Sequence, residues 1–381
     1  MKIIRPMPMT EQALVSSSVA ETDYTAYNPA SSYTTGQRVM VTTVSNTVTV
    51  TIAAPCVLSW TAHGFVGGEK VHLTTTGALP TGLVVNTTYY VTGVTTDTFQ
   101  LANTAGGVPI STSGTPSGVH TCVLSVHRNY EALRAVSAGV YPYTSIADWL
   151  DLGATNRWAM FDGSVTSQTT AATSITLSVQ AVGRVDSVAL MNLQCSTVTI
   201  TATDSVAGVV YGPTVYNMSS SAAAINNWYS YFFSPILRKT DMVDVDFPPY
   251  NNLLFTIVIA DPIDTVAVGA VVVGMSRDLG LVQYGAQLGI TDYSYKSRDA
   301  FGNYVVLERA YSKRGRFTLW VNAVDVDGIH TTLAAYRATP CVYVGSNEYT
   351  SSMIYGFYKD FNIDISYPTI SVCSLDIEGL T

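Results

Sequence analysis

The stretch SSYTTGQRVM, residues 31–40, decides how this chain is to be divided. Tyr33 supplies an aromatic anchor, Gly36 leads a turn, and Arg38, Val39 and Met40 begin a strand. A small β module would go on directly to its next strand. Here residues 41–126 follow instead, rich in Thr, Val and Gly, and only then does HRNYEAL (127–133) resume. The pattern reads as a small module opened at a loop tip by an insertion, which such modules tolerate when the two ends of the break lie close together. It therefore requires Val41 and Val126 to be near one another on adjacent strands.

Working outward, the whole chain has β character. Of its 381 residues 47% are hydrophobic, and Tyr (24) outnumbers Phe (11). Val, Thr and Tyr suit pleated, half-buried surfaces. Apolar residues alternate in TSITLSVQ (173–180), STVTITATD (196–204), RFTLWVNAV (316–324) and ISVCSLDIEGL (370–380). Helical period is confined to DGIHTTLAAYRA (327–338), with Asp327 as the expected cap and Ile329, Leu333 and Tyr336 on one face. The fold expected is all-β with that one short helix. A docking arm (1–20) precedes a split module (21–40 plus 127–152) interrupted by a small barrel-like insertion (41–126). A β-sandwich (153–279) and a C-terminal β-rich domain (280–381) complete it, meeting near DLGLVQYGAQLG (278–289).

Charged residues make up 12% of the chain, about half the share of an average domain, which points to a surface covered by neighbours. The net charge of −8 and the lack of a Lys/Arg run argue against a nucleic-acid partner. Arg5 and Pro6 interrupt the N-terminal stretch where the apolar core of a secretion signal would stand. LLFTIVIA and VAVGAVVVGM are separated by Asp261, Pro262 and Asp264, and each is shorter than the about 20 residues of a membrane span. No membrane insertion is expected.

The chemistry-bearing residues form no strong motif. Cys56, Cys122, Cys195, Cys341 and Cys373 include no CxxC pair, and two readings stand for Cys56 and Cys122: a disulfide across the insertion's ends, or buried thiols. His63 and His72 lie nine residues apart without a third ligand, so turn and strand roles are expected rather than a metal. Asp241, Asp244 and Asp246, and Asp325 with Asp327, are carboxylates of the kind that hydrolyse glycosides or bind calcium. Alternation would put Asp244 and Asp246 on one solvated face, and neither run has the ligand count of an EF-hand. No GxSxG elbow or phosphate loop is present. The expectation is a non-enzyme without cofactor or metal.

Several resemblances follow from these residues. Joined, the halves of the split module resemble small chitin-binding modules at Tyr27, Tyr33, Gly36, Val39, Tyr130, Glu131, Ala132 and Trp149. The chain departs from that family in lacking a Trp near Tyr27 and an Asp at Gln37. The resemblance implies sugar stacking by Tyr27, Tyr143 and Trp149, if they share an exposed face. The other reading makes these aromatics the core that so small a module must bury. The insertion, through AHGF, GEKVHL, LPTGL, TTYYV and TDTFQLA, is similar to a β module of phage tail proteins and bacterial adhesins. It reads as a small barrel with Tyr90 and Phe99 inside.

The body resembles galactose-binding-like jelly rolls in layout. The whole chain, from PMTEQALVSSSV (8–19) to SLDIEGLT (374–381), resembles a family of tailed-phage virion proteins. That resemblance implies a structural part of the tail, baseplate or neck, assembled in the host bacterial cytoplasm as a symmetric multimer. Its partners would be other copies, other tail, baseplate or neck proteins and, in the alternative adhesin reading, host surface glycans.

Overall fold

The computed structural model describes residues 1–218, 227–233, 238–298, 301–347 and 349–380. The protein is all-β apart from short helices. It divides into two compact units: Thr10–Gln12 with Ala20–Thr155, and Met1–Met9 and Ala13–Val19 with Asn156–Thr381.

The strands that open the chain are β1 (Lys2–Pro6), β2 (Leu14–Ser17), β3 (Arg38–Val50), β4 (Leu58–Ser59), β5 (Lys70–Thr75), β6 (Tyr89–Thr92), β7 (Thr98–Ala102), β8 (His120–Ala132) and β9 (Trp149–Ala154). In the smaller unit they follow the order β3-β4-β7-β6-β5-β8, and β8 returns to pair with β3. This closes a six-stranded barrel, which leaves no sheet edge within the ring. Phe99 fills its core as expected. Tyr89, rather than Tyr90, joins it, because alternation along β6 turns Tyr89 and Val91 inward. Cys56 and Cys122 are both free buried thiols of that core, and burial pushes the Cys122 thiol up to about 12.

The break in the split module has the geometry its sequence demands. Val41 pairs with Arg128 and Thr43 with Ser125, which sets Val126 beside Val41 at an irregularity in the β3–β8 ladder. His127 absorbs the irregularity with a left-handed φ of 51°. The insertion is nonetheless not hung on a thin linker. Single uninterrupted strands, β3 and β8, run through both the module and the barrel, so the two form one compact unit.

The larger unit contains a sandwich. Its five-stranded sheet runs Gly208–Asn217, Thr197–Asp204, Leu254–Ala260, Ser174–Gln180 and β2. Facing it is one end of a larger sheet, where Met242–Val245, Ser187–Met191 and Ala270–Asp278 lie side by side. Ile175, Leu177, Ile200, Phe255 and Ile257 from the first sheet meet Val188, Leu190, Val271 and Val273 from the second in a single core. The alternation read in 173–180 and 196–204 is the inward face of this sandwich.

The larger sheet then continues through β1, Cys341–Val344, Met353–Asp364, Ile370–Gly379 and Tyr311–Asn322. Residues 156–279 and 280–381 therefore share one sheet and belong to one unit instead of two domains, while 153–155 belong to the smaller unit. Helix α1 (Trp228–Phe233) is a single short turn; Ser234, Pro235 and Ile236 of the stretch after it lie outside the described residues. Helix α2 (Val326–Tyr336) covers the second half of the sheet, burying Ile329 and Leu333 against Phe317, Leu319 and Leu375. Asp325 takes the cap position, and Asp327 sits in the first turn, where the helix dipole favours a negative charge.

The N-terminal segment is the largest departure from expectation. It is no free docking arm. β1 is inserted between Ala270–Asp278 and Cys341–Val344, with Ile3 and Ile4 fully buried on opposite faces. β2 edges the five-stranded sheet, and Leu14 and Val19 enter the sandwich core. A central strand buried on both faces carries no alternation, so its sequence does not announce where it goes.

Candidate interaction surface

The residues singled out in the sequence occupy structural positions. Trp149 is 2% exposed, packs in a small core with Tyr33, Val39 and Tyr130, and donates its indole N–H to the Val140 carbonyl at 3.2 Å. The Tyr27 ring lies 6.0 Å from Trp149 and 5.5 Å from Tyr33, and its hydroxyl donates to the same Val140 carbonyl. Burial, with Tyr33 and Tyr141 nearby, pushes the Tyr27 phenol up to about 12. Tyr143 is half-buried against Tyr141 and packs on this core and on the barrel core. The three aromatics are close together, but Trp149 presents no face to a sugar, because a module this small spends its largest ring on its own core.

His63 is likewise a turn residue. Its Nδ1 accepts the Phe65 backbone N–H at 2.9 Å, and its ring stacks on Phe65 at 4.6 Å. His72 is half-buried on β5, where burial lowers its pKa. His330 is exposed on α2, with its ring 5.7 Å from Phe361.

The three carboxylates of 241–246 do not converge on one solvated face. Asp241 is buried beneath the Lys313 ammonium and accepts from Thr240 Oγ1 and the Asn192 N–H. One oxygen of Asp244 accepts both the Tyr211 and Tyr216 hydroxyls, at 2.8 and 2.5 Å. This latches an outer strand of one sandwich sheet to an outer strand of the other, and burial, reinforced by the Asp244 bond, holds the Tyr216 proton on well above the usual range. Asp246 is exposed and pairs with Lys2 at 2.7 Å. Among the described residues no group of three or more His, Cys, Asp or Glu side chains is placed to hold a metal ion. No described helix is long and apolar enough to cross a membrane.

Segment 284–316 carries a feature that no sequence motif announced. Strand Gln287–Asp292 pairs with Tyr311–Arg316, and beyond it Tyr295–Arg298 pairs with Tyr304–Leu307. The inner pairing belongs to the large sheet, where Arg314–Arg316 also pair with Asp376–Glu378, and the outer pairing is a separate two-stranded ribbon. That ribbon pairs only with itself. Directly opposed residues share a face. Tyr295 with Leu307, and Ser297 with Val305, therefore form an apolar face. Lys296 with Val306, and Arg298 with Tyr304, form a basic one. The Arg298 guanidinium sits 4.7 Å over the Tyr304 ring and donates to its hydroxyl. Lys296 bonds Asp292 at 2.6 Å and holds that carboxyl well below its usual range.

Tyr295, Tyr304, Val305, Val306 and Leu307 are each more than half exposed, and Phe301 is almost fully so. An isolated two-stranded hairpin is at best marginally stable in water. These side chains lie on both faces of the ribbon, Tyr295, Val305 and Leu307 on one and Tyr304 and Val306 on the other. The signal was present in the sequence. YVVLERAYSKRGR (304–316) is a strand-like apolar run followed by a cluster of bases, in a chain otherwise poor in charge. A second apolar patch lies on α1, where Trp228, Tyr229, Phe232 and Phe233 are exposed. No family model, curated protein or solved structure matches the chain.

Proposed function

We propose that this protein is a structural component of a tailed-phage virion, in the tail, baseplate or neck, that works by assembling with copies of itself. The observation carrying the proposal is the distal ribbon formed by Tyr295–Arg298 and Tyr304–Leu307, which pairs only with itself and leaves Tyr295, Tyr304, Val305, Val306 and Leu307 exposed. The virion context rests on the sequence resemblance described above, running from the PMTEQALVSSSV segment to SLDIEGLT. The function on this reading is geometric. A closed barrel and a sandwich supply rigid bodies, and the ribbon supplies the joint. The low charge content supports the reading, since charges buried unpaired at subunit contacts are costly.

Purified protein examined by light scattering and negative-stain microscopy tests the reading. A concentration-dependent closed ring or multimer is expected. A protein that stays monomeric, yet binds sugars on a glycan array in a manner lost with Tyr27→Ala or Tyr143→Ala, would replace it with the adhesin reading.

A further inference from the structure

We propose that the cavity bounded by Asp241, Lys313 and Tyr355 binds one neutral, hydroxylated ring, a single pyranose residue. The site is separate from the ribbon and from the small core around Trp149, and it stands whether or not the protein assembles.

Its place follows from the large sheet. In strand order Met242–Val245 and Tyr311–Asn322 lie seven spacings apart, roughly 34 Å across a flat sheet at about 4.8 Å per strand. Yet Asp241, next to the first strand, is ion-paired with Lys313 of the second. The sheet therefore curls until its two ends meet at this pair. A cavity of about 330 Å³ remains beside it, the size of a small-ligand site. Its wall is held in place before any ligand arrives. The Asn192 side chain donates to the Val165 carbonyl at 2.7 Å, the Asn192 N–H to Asp241, and the Leu380 N–H to the Tyr355 carbonyl.

Three observations select the ligand. The first is charge. The charged lining residues are Asp241, Glu308, Arg309 and Lys313, two of each sign. Asp241 is buried and holds the Lys313 ammonium, so that group offers placed N–H donors instead of an uncompensated charge. A neutral ligand suits such a site better than an ion. The second is an open hydrogen-bonding group. Tyr355 is half-buried, and burial pushes its phenol up to about 12, so it keeps its proton at neutral pH. Its hydroxyl makes no hydrogen bond among the described residues. A ligand hydroxyl can accept from the ammonium and donate to the phenol oxygen, which neither a carboxylate nor an ammonium can do. The third is apolar surface. Met191 and Met353 are buried lining residues, and the Tyr311 ring, 55% exposed, stands where the cavity opens. Thioethers and an aromatic face beside polar groups suit the C–H face of a sugar ring.

The test titrates the full-length protein with the methyl glycosides of glucose, galactose, mannose and N-acetylglucosamine, followed by saturation-transfer NMR. At least one should bind at about millimolar Kd, the range open to so few atoms. Tyr355→Phe removes only the hydroxyl and should weaken that binding about three- to tenfold. Tyr311→Ala, at an exposed site, should weaken it at least about fivefold. Circular dichroism melts of both variants should match wild type, and if one folds poorly the other decides. The same sugars at the ends of immobilised glycans separate the two sources. Capture there, lost with the same substitutions, assigns a surface polymer, whereas binding of the free glycosides alone assigns a soluble sugar. The proposal is overturned if no glycoside binds up to about 20 mM, or if binding survives both substitutions and is lost instead with Tyr27→Ala or Tyr143→Ala.

Discussion

Residues 2–6 and the paired segments 295–298 and 304–307 are short β segments with apolar side chains beside Lys and Arg, and they come to opposite ends. β1 has a hydrogen-bonded neighbour on each side and buries Ile3 and Ile4 on opposite faces of the large sheet. The ribbon has one neighbour, itself, and buries nothing on either face. The difference teaches where each apolar residue acts. With partners on both edges it holds the fold together; with a partner on one edge it remains available to another molecule.

That comparison can be broken by substitution. Trp149→Ala should cost about 3–5 kcal/mol by opening the small core of the barrel unit, and Ile4→Ala about 2–5 kcal/mol in the large sheet. Thermal and denaturant unfolding check both. If Trp149→Ala leaves stability untouched and removes a sugar affinity, the core assignment is wrong. Tyr216→Phe should cost about 1 kcal/mol, the value of one hydrogen bond in the Asp244 latch, seen as a shift in the urea midpoint. Val305→Glu with Leu307→Glu should change unfolding by less than about 0.5 kcal/mol, the ordinary size for exposed sites. A large loss there would mean that the ribbon packs within its own unit.

Much of the architecture was legible because it is written in alternation. Ser174–Gln180 and Thr197–Asp204 have one face in the sandwich core and one outward, and their sequences say so. The barrel was legible from its turns, including Gly67, Gly82 and Gly106, which take the left-handed φ such corners need. α2 was legible from its spacing. The N-terminal arm was not, because a central strand needs only two adjacent apolar residues and borrows the rest of its environment from distant strands. The domain boundary near 280 was misplaced for the same reason. Gly-rich residues 278–289 mark a turn at the sheet margin, while β1, from the other end of the chain, stitches the two halves into one sheet.

The aromatic trio shows a further limit. Tyr27, Tyr143 and Trp149 would stack sugars only on a shared exposed face, and the sequence does not say which ring faces inward. The indole N–H of Trp149 is satisfied by the Val140 carbonyl, a contact fixed by the turn at 140–148. The ribbon was missed because Tyr304–Leu307 reads as an ordinary buried strand. Only the absence of a covering layer in the folded unit reveals it.

The central claim is that the ribbon is uncovered in the single copy and covered in the assembly. Hydrogen–deuterium exchange followed on residues 295–307, above and below the concentration at which copies associate, tests it most directly. Exchange there should be fast in the monomer and at least about tenfold slower in the assembly, while the amides of 2–6 stay protected in both. Exchange across 295–307 that is equally fast in monomer and multimer would contradict it.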